Sequence, residues 1–237
     1  MPVIAEPTPR PLAGCLSIEA EEHRPADDWF LSLRHAQIPF HASDRLVILQ
    51  GHRLVCRLGL YAAIERVLTG ESVLYVDGAN TFDPFVIGRL ARTHRMQPRR
   101  ALSMIHVARA FTGHQTERLV SDCLGSALQR YLAKTVILSG LLETVYDGTA
   151  HDQEASRSFG RIADSIFSLT RQGYRVVCLC PSAPLVTAAR RRSLKQLCAM
   201  ANRVIDVQEA FGVVRLEEER PHGGPRWEVA KTALDLQ

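Results

Sequence analysis

The chain has 237 residues, 46% of them hydrophobic and 23% charged, which is the composition of a globular protein with one sizeable domain. No apolar run approaches the ~20 residues that a membrane-spanning helix needs, and the N-terminus has no apolar core of signal-peptide length, which favours a cytoplasmic protein without membrane contact. The net charge of +4 permits a polyanionic partner but does not demand one.

The first 44 residues are predicted to be an N-terminal extension that is partly disordered or binds a partner. Residues 1–25 are rich in Pro and Glu, and residues 26–37 are predicted to form a short helix with Asp27 or Asp28 near its cap. The apolar tripeptide at 38–40 is a candidate for an extended segment that adds to a neighbour's sheet.

Residues 45–237 are predicted to form one core domain in which buried strands alternate with helices. Short apolar runs predict five strands, and apolar spacing at the helical period predicts the helices between them. The strands are expected at 45–50, 72–77, 103–110, 134–141 and 174–182, and the helices at 54–68, 83–94, 112–133, 153–173 and 183–201. Residues 202–231 are predicted to add two or three further strands. This order predicts an α/β domain with a mostly parallel sheet and antiparallel strands at its C-terminal end.

The six cysteines form no C-x-x-C pair, and no His lies at zinc-ligand spacing from them, so no metal site is predicted. Two of them, Cys178 and Cys180, alternate with apolar residues in the fifth strand, which predicts buried thiols. No Ser-His-Asp arrangement or nucleophile elbow is present in the sequence, so no catalytic residue is assigned.

The most specific signal is the segment 74–120, which begins LYVDGANTFDPFVIGRL. It contains Asp77 at a strand end, Thr81-Phe82 and Pro84 entering a helix, the strand motif VARAF at 107–111, and His114-Gln115 opening the next helix. This pattern resembles the core of the RecA/RadA recombinases and their paralogues, and the likeness extends over about residues 45–228. The resemblance implies a RecA-like P-loop NTPase fold, in which a mostly parallel central sheet is flanked by helices and nucleotide lies between the first strand and its helix.

The loop that binds phosphate in that family is changed here. An ungapped match of G-x-x-x-x-G-K-[ST] keeps Gly51 but puts Cys56 at the second Gly, Arg57 at the Lys and Leu58 at the Ser/Thr. A shorter loop, in which Arg53 leads directly into the helix, is equally compatible and puts Arg53 nearest the phosphate site. Gly51, Arg53 and Arg57 are therefore the candidates for a residual anion site at a helix N-terminus.

The catalytic positions implied by the resemblance are changed as well. The family's water-activating Glu falls on Ala79, and its metal-supporting Asp falls on Ser139. Losing both together with the metal-binding hydroxyl removes the machinery for hydrolysis. We therefore expect no efficient ATPase activity, ATP binding that is weak or absent, and no other cofactor.

The strongest signal for a polyanionic partner is a basic cluster in the last predicted helix, within the sequence ARRRSLKQ. Its cations are the candidates for DNA binding through phosphate contacts: Arg190, Arg191, Arg192 and Lys195. The first DNA-holding loop of the recombinases falls on 146–156, which is short and acidic here, so their mode of gripping DNA is not expected. A second arginine series is predicted to be ordinary solvated surface: Arg89, Arg92, Arg95, Arg99 and Arg100.

Three interpretations of function follow from the resemblance. The preferred one is a non-catalytic recombinase paralogue that serves DNA repair or recombination as an accessory or regulatory factor. Its partner would be a recombinase or another repair protein, with DNA contact and a homo- or hetero-oligomeric state left open. The second is an active ATPase whose atypical phosphate loop is completed by a partner. The third is a regulatory protein like the KaiC-type ATPases, unconnected to DNA; fold alone does not separate these.

Overall fold

The computed structural model describes residues 29–33, 36–148, 150–182, 187–220 and 224–234, so the predictions for residues 1–25 lie outside it. The strands in this part of the chain are β1 (Trp29–Leu33), β2 (Ala36–Phe40), β3 (Leu46–Gly51), β4 (Val73–Asp77), β5 (Ile105–Arg109), β6 (Thr135–Ser139), β7 (Arg175–Pro181), β8 (Arg203–Ala210), β9 (Val213–Arg220) and β10 (Arg226–Ala230). The α-helices are α1 (Val55–Leu68), α2 (Pro84–Thr93), α3 (Pro98–Ser103), α4 (Gly113–Arg118), α5 (Leu124–Arg130), α6 (Leu141–Val145), α7 (Asp152–Arg171) and α8 (Ala188–Met200). A π-helical turn at Leu119–Cys123 joins α4 to α5, and a 3-10 turn at Lys231–Ala233 follows β10.

The central sheet has eight strands in the order β10-β9-β8-β3-β7-β6-β4-β5. The six strands from β8 to β5 pair in parallel, whereas β9 and β10 pair antiparallel. The predicted α/β architecture, mostly parallel with antiparallel C-terminal strands, is therefore confirmed. Because the parallel strands all end at one edge of the sheet, the loops after β3, β4, β6 and β7 meet there, and this edge is where ligands bind in open α/β sheets.

Both faces of the sheet are covered, which explains why its central strands are continuous apolar runs. Val47 and Leu49 of β3 join the buried cluster that contains α1 and α2, while Leu46 and Ile48 join the cluster that contains α7. Successive side chains of a strand point to opposite faces, so one apolar run supplies both cores.

The predicted helix over 26–37 is wrong in its described part, because β1 and β2 form an antiparallel hairpin there. Trp29, Leu31 and Leu33 are buried at the two-residue period of a strand, and Trp29 stacks on Phe40 with 4.3 Å between ring centroids. Ile38 and Phe40 are also buried in the cluster that contains α1. The apolar tripeptide 38–40 thus completes this protein's own core rather than extending towards a neighbour.

Arg203 fastens this hairpin to the sheet. Its guanidinium is buried and donates to both carboxylate oxygens of Glu218, to Asp44 at 3.0 Å and to the carbonyl oxygen of Pro39. Since Pro39 lies in β2 and Glu218 in β9, one side chain joins the segment before residue 45 to the C-terminal strands. The described residues before 45 therefore pack with the core domain.

Two short helices, α3 and α6, were not predicted. The first lies between α2 and β5, and the second lies between β6 and α7. The third strand accordingly begins at Ile105 rather than at 103, because residues 98–103 are helical. Among the described residues, no helix combines the length and the apolar character needed to cross a lipid bilayer.

Candidate functional site

The connection between β3 and α1 is short. Only three residues separate Gly51 at the end of β3 from Val55 at the start of α1. A phosphate loop places the motif G-x-x-x-x-G-K-[ST] between a strand and the helix that follows. The structure therefore corresponds to the shorter of the two predicted loops, with Arg53 exposed in its middle.

The backbone donors of this connection already have partners within the protein. The N–H of Val55 donates to the carbonyl oxygen of His52 at 3.0 Å, and the N–H of Cys56 donates to that of Arg53 at 3.2 Å. These bonds tighten the first turn of α1. A phosphate cradle depends on free N–H groups at a helix N-terminus, and here two of them point into their own turn.

Gly51 is held against the neighbouring strands. Its φ of +108° suits glycine, and a Cβ atom at this position would lie 2.3 Å from the carbonyl oxygen of Val207 on β8. The next residue donates from its N–H to that same oxygen at 2.6 Å, while the N–H of Ser182 donates to the carbonyl oxygen of Gly51 at 2.6 Å. This glycine is explained by close strand packing without invoking a ligand.

Arg57 serves the C-terminal segment. Its Nε donates to the carbonyl oxygen of Leu234 at 2.8 Å, and one turn later the hydroxyl of Tyr61 donates to that of Ala233 at 3.1 Å. Of the three predicted anion-site residues, Arg53 is the one that stands exposed in the loop, whereas Arg57 is half-buried and already bonded.

A cluster of small polar side chains fills the region where β4 and β6 end; we call it the strand-end cluster and define it as Asp77, Thr81, Ser139 and Cys56. The Asp77 carboxylate is buried and accepts the Thr81 N–H at 2.9 Å, and its second oxygen accepts the Phe82 N–H at 3.0 Å. The hydroxyls of Thr81 and Ser139 are 3.0 Å apart, and the Ser139 hydroxyl lies 3.9 Å from the Cys56 sulfur. Asp77 thus acts as a turn acceptor that fixes the loop after β4.

The loops after β4 and β6 also touch each other through their backbones. The N–H of Gly78 donates to the carbonyl oxygen of Ser139 at 2.7 Å. Gly140 has a φ of +75°, and a Cβ atom there would lie 2.1 Å from the backbone nitrogen of Ala79. This contact closes the space between the two positions at which the resemblance implies a catalytic Glu and a metal-supporting Asp, and neither position carries a carboxylate.

The residues present at this edge therefore do not fit magnesium and ATP in the mode that the resemblance implies. Oxygen ligands are what Mg²⁺ requires, and the buried Asp77 carboxylate is occupied by backbone N–H groups and lies 3.6 Å from the Arg109 guanidinium. Burial raises the pKa of the Cys56 thiol, against the opposing effect of hydrogen bonds from Ser139 and Thr81. A thiol held protonated in this way is no nucleophile.

In the basic cluster on α8, Arg190 is buried whereas the other three cations are exposed. Arg190 forms an ion pair with Glu143 at 2.5 Å and donates to the carbonyl oxygen of Pro181 at 3.3 Å. Burial raises the pKa of Glu143, and the neighbouring Arg190 opposes that rise. Arg190 was predicted to contact DNA, but its guanidinium is paired with Glu143, which is distant in sequence and adjacent in space.

The other three predicted DNA-binding residues, Arg191, Arg192 and Lys195, are exposed on α8. Arg192 lines a groove between α7 and α8 together with Asp152 and Gln153. An exposed carboxylate therefore faces the same groove as one of the predicted DNA contacts. In the described parts of the chain, no group of three or more His, Cys, Asp or Glu side chains is arranged to hold a metal.

The outer edge of β5 is a further candidate that the sequence did not single out. Within the described residues β5 pairs only with β4, and the side chains of Val107 and Phe111 are 39% and 66% exposed. A groove of about 150 Å³ lies beside this edge, between the strands β4 and β5 and the segment formed by the π-helical turn and α5. In this groove His106 stacks on Tyr131 with 3.7 Å between ring centroids. The motif VARAF at 107–111 is the sequence signal that could have pointed to this edge. Its last residue, Phe111, is aromatic and falls outside the apolar pattern of the strand.

The comparisons with known proteins add no assignment: the chain matches no protein-family model, and the comparison with curated proteins finds no match.

Proposed function

We propose that this chain is a RecA-like paralogue of the RecA/RadA recombinases that does not hydrolyse ATP. It acts as an accessory or regulatory factor in DNA repair or recombination by binding a recombinase. The resemblance of residues 74–120 supplies the family, and the mostly parallel sheet, with β3 near its centre, is compatible with that family's fold. The loss of catalysis and the retention of the fold together favour a binding role.

The observation that carries the proposal is the closed loop between β3 and α1. Its first helical N–H groups are bonded inside the turn, and Arg57 is bonded to Leu234. In the strand-end cluster, Ser139 stands at the position of the metal-supporting Asp, and its neighbours are the Thr81 hydroxyl and the Cys56 thiol. Opening this site for nucleotide would break several hydrogen bonds of about 1 kcal/mol each before any phosphate contact formed.

The partner's contact is assigned to the edge of β5. RecA-type domains assemble with an extended segment that adds to a neighbour's sheet, and β-strand addition needs an unpaired strand edge with side-chain pockets beside it. The β5 edge has both: within the described residues β5 has no strand on its outer side, and a groove of about 150 Å³ lined by His106 and Val107 lies beside it. The occupant that we assign is an extended segment of the recombinase.

The first test is a calorimetric titration of ATP with magnesium into the purified protein and into its Arg53→Ala variant. We expect no binding heat at millimolar ATP in either protein. Micromolar binding that weakens in Arg53→Ala would mean that the loop still holds phosphate, and it would overturn the proposal. An ATP hydrolysis assay with and without the recombinase addresses the alternative of an ATPase completed by a partner, which predicts turnover above that of the recombinase alone.

The second test measures the affinity of the host's recombinase for the Phe111→Lys variant of this chain, with the Phe211→Lys variant as the matched control. Phe211 is exposed too, but it lies at the turn between β8 and β9 on the far side of the sheet. We expect the first variant to weaken binding at least tenfold and the control to leave it unchanged. Equal affinities would remove the β5 edge from the proposal.

A further inference from the structure

The end of α2 and the start of α3 carry a dense group of cations, which we call the α2–α3 basic surface: Arg92, Arg95, Arg99 and Arg100. All four side chains are exposed, and none forms an ion pair with another described residue. The segment 84–116 contains six Arg and no Asp or Glu. Exposed arginines without acidic partners are available to an external anion.

Local packing brings these four arginines to one end of the helix pair. A tight turn follows α2: the Arg95 N–H donates to the Arg92 carbonyl at 3.0 Å, and Arg95 adopts a φ of +57°. Pro98 then begins α3 against the middle of α2, where a Cβ on Gly88 would lie 3.6 Å from the Pro98 Cβ. The four arginines therefore lie in one short helix–turn–helix segment, residues 92–100.

The surroundings of this surface are less acidic than those of α8. The neighbouring acid is Glu65 on α1, which is half-buried and interacts with Ser32 as well as with His94. On α8, by contrast, Arg190 is paired internally with Glu143, and the first turn of the adjacent α7 exposes Asp152 and Glu154. Acids within a Debye length of about 8–10 Å reduce the attraction of a phosphate chain, so the acids at α8 weaken that cluster as a polyanion site, whereas the segment 84–116 carries no acid of its own.

The chemistry of the surface selects among polyanions. Arginine forks bind phosphate oxygens in pairs, and four exposed arginines offer several such contacts to one phosphate chain. Binding of single strands relies on aromatic stacking, whereas the exposed Phe85 lies at the opposite end of α2, about 10 Å of helix from Arg92. Binding to a lipid surface needs apolar side chains that insert, and the nearest apolar residue, Met96, packs against the core.

We propose that the α2–α3 basic surface binds the phosphate backbone of duplex DNA without regard to sequence. The choice of DNA rests on the proposed function, whereas the choice of a duplex phosphate backbone rests on the surface alone. This surface lies where α2 ends and α3 begins, at the opposite edge of the sheet from the loops after β3, β4 and β6. DNA and the closed nucleotide site therefore do not compete for the same residues.

The test is fluorescence anisotropy of a labelled 20-base-pair duplex at NaCl concentrations from 50 to 200 mM. Each phosphate neutralised contributes about −0.9 to the slope of log K against log salt, so four contacts give a slope of about −3.6 and a loss of about 100-fold over this range. We expect Arg92→Gln/Arg99→Gln to lower the slope to about −1.8 and the loss to about tenfold. The matched control, Arg191→Gln/Lys195→Gln on α8, should keep the full slope.

Several results would overturn the inference: no duplex binding at 50 mM NaCl, an unchanged slope in the α2–α3 variant, a slope lost only in the α8 variant, or tighter binding of single-stranded DNA or duplex RNA. Equal melting temperatures of the two variants and the parent exclude misfolding as the cause of a loss. Nucleotide binding in the calorimetric test would refute the proposed closed nucleotide site but leave these expectations unchanged, so the two failures are distinguishable.

Discussion

The contact between the loops after β4 and β6 can be tested by adding a single methyl group. Gly140→Ala places a Cβ atom 2.1 Å from the Ala79 nitrogen and 2.5 Å from the Gly78 carbonyl carbon. Both neighbours are backbone atoms, so neither can rotate away. A non-glycine residue at positive φ costs about 1–2 kcal/mol, and forced overpacking costs about 1–3 kcal/mol more. We expect Gly140→Ala to lower the free energy of unfolding by about 2–5 kcal/mol.

Gly173→Ala is the matched control. Gly173 also has a positive φ, +91°, but a Cβ atom there would meet nothing within 4 Å, so only the conformational cost of about 1–2 kcal/mol applies. Urea unfolding followed by circular dichroism measures both changes, and the difference between the variants isolates the contact between the loops. Equal losses would show that the loops after β4 and β6 stand apart, and the case for a closed site would fail.

Two further predictions concern buried groups. Arg203→Gln leaves two carboxylates without their shared cation and should lower the free energy of unfolding by about 3–5 kcal/mol. Arg215 forms an exposed ion pair with Glu228, so Arg215→Gln should lower it by only about 0–1 kcal/mol. Equal effects in urea unfolding would contradict the role of Arg203 in holding the hairpin. Burial raises the pKa of Cys198 from 9.0 to about 11. Between these values the unfolded chain releases this thiol proton more readily than the folded protein does, so stability should fall as the pH rises from 9 to 11, and Cys198→Ala should reduce that fall. An unchanged pH dependence in the variant would count against burial of this thiol.

The elements that the sequence predicts best are those whose signal is local. The strands β3, β4, β6 and β7 are apolar runs buried on both faces, and the start of α2 is marked by Asp83, whose side chain accepts from the N–H groups of Phe85 and Val86. The hairpin of β1 and β2 was missed because Asp27-Asp28 resembles a helix cap, while the alternation of buried residues in β1 covers only five residues. The helices α3 and α6, of six and five residues, are too short to show helical periodicity.

The candidate site was less predictable, because its contacts join distant parts of the chain. The substitutions at the phosphate loop are visible in the sequence, but the bond from Arg57 to Leu234 spans 177 residues, and the pair of Arg190 and Glu143 spans 47. The run of charged residues predicted an exposed Arg190, whereas its side chain is buried. The second arginine series was judged ordinary surface from the sequence alone. Only the structure shows that its exposed members have no acidic partners among the described residues.

The closed edge has a consequence for how such a domain would be regulated. A ligand shifts a conformational equilibrium only through its different affinities for the two states. In the proposed paralogue the strand-end cluster holds the loops after β4 and β6 with internal hydrogen bonds. Nucleotide would then have no difference in affinity between two states of these loops through which to act. Under the proposed function, ATP bound to this chain would therefore not control the release of a recombinase. Attachment to DNA, by contrast, should follow salt and the concentration of duplex, because the proposed phosphate contacts of the α2–α3 basic surface release counterions.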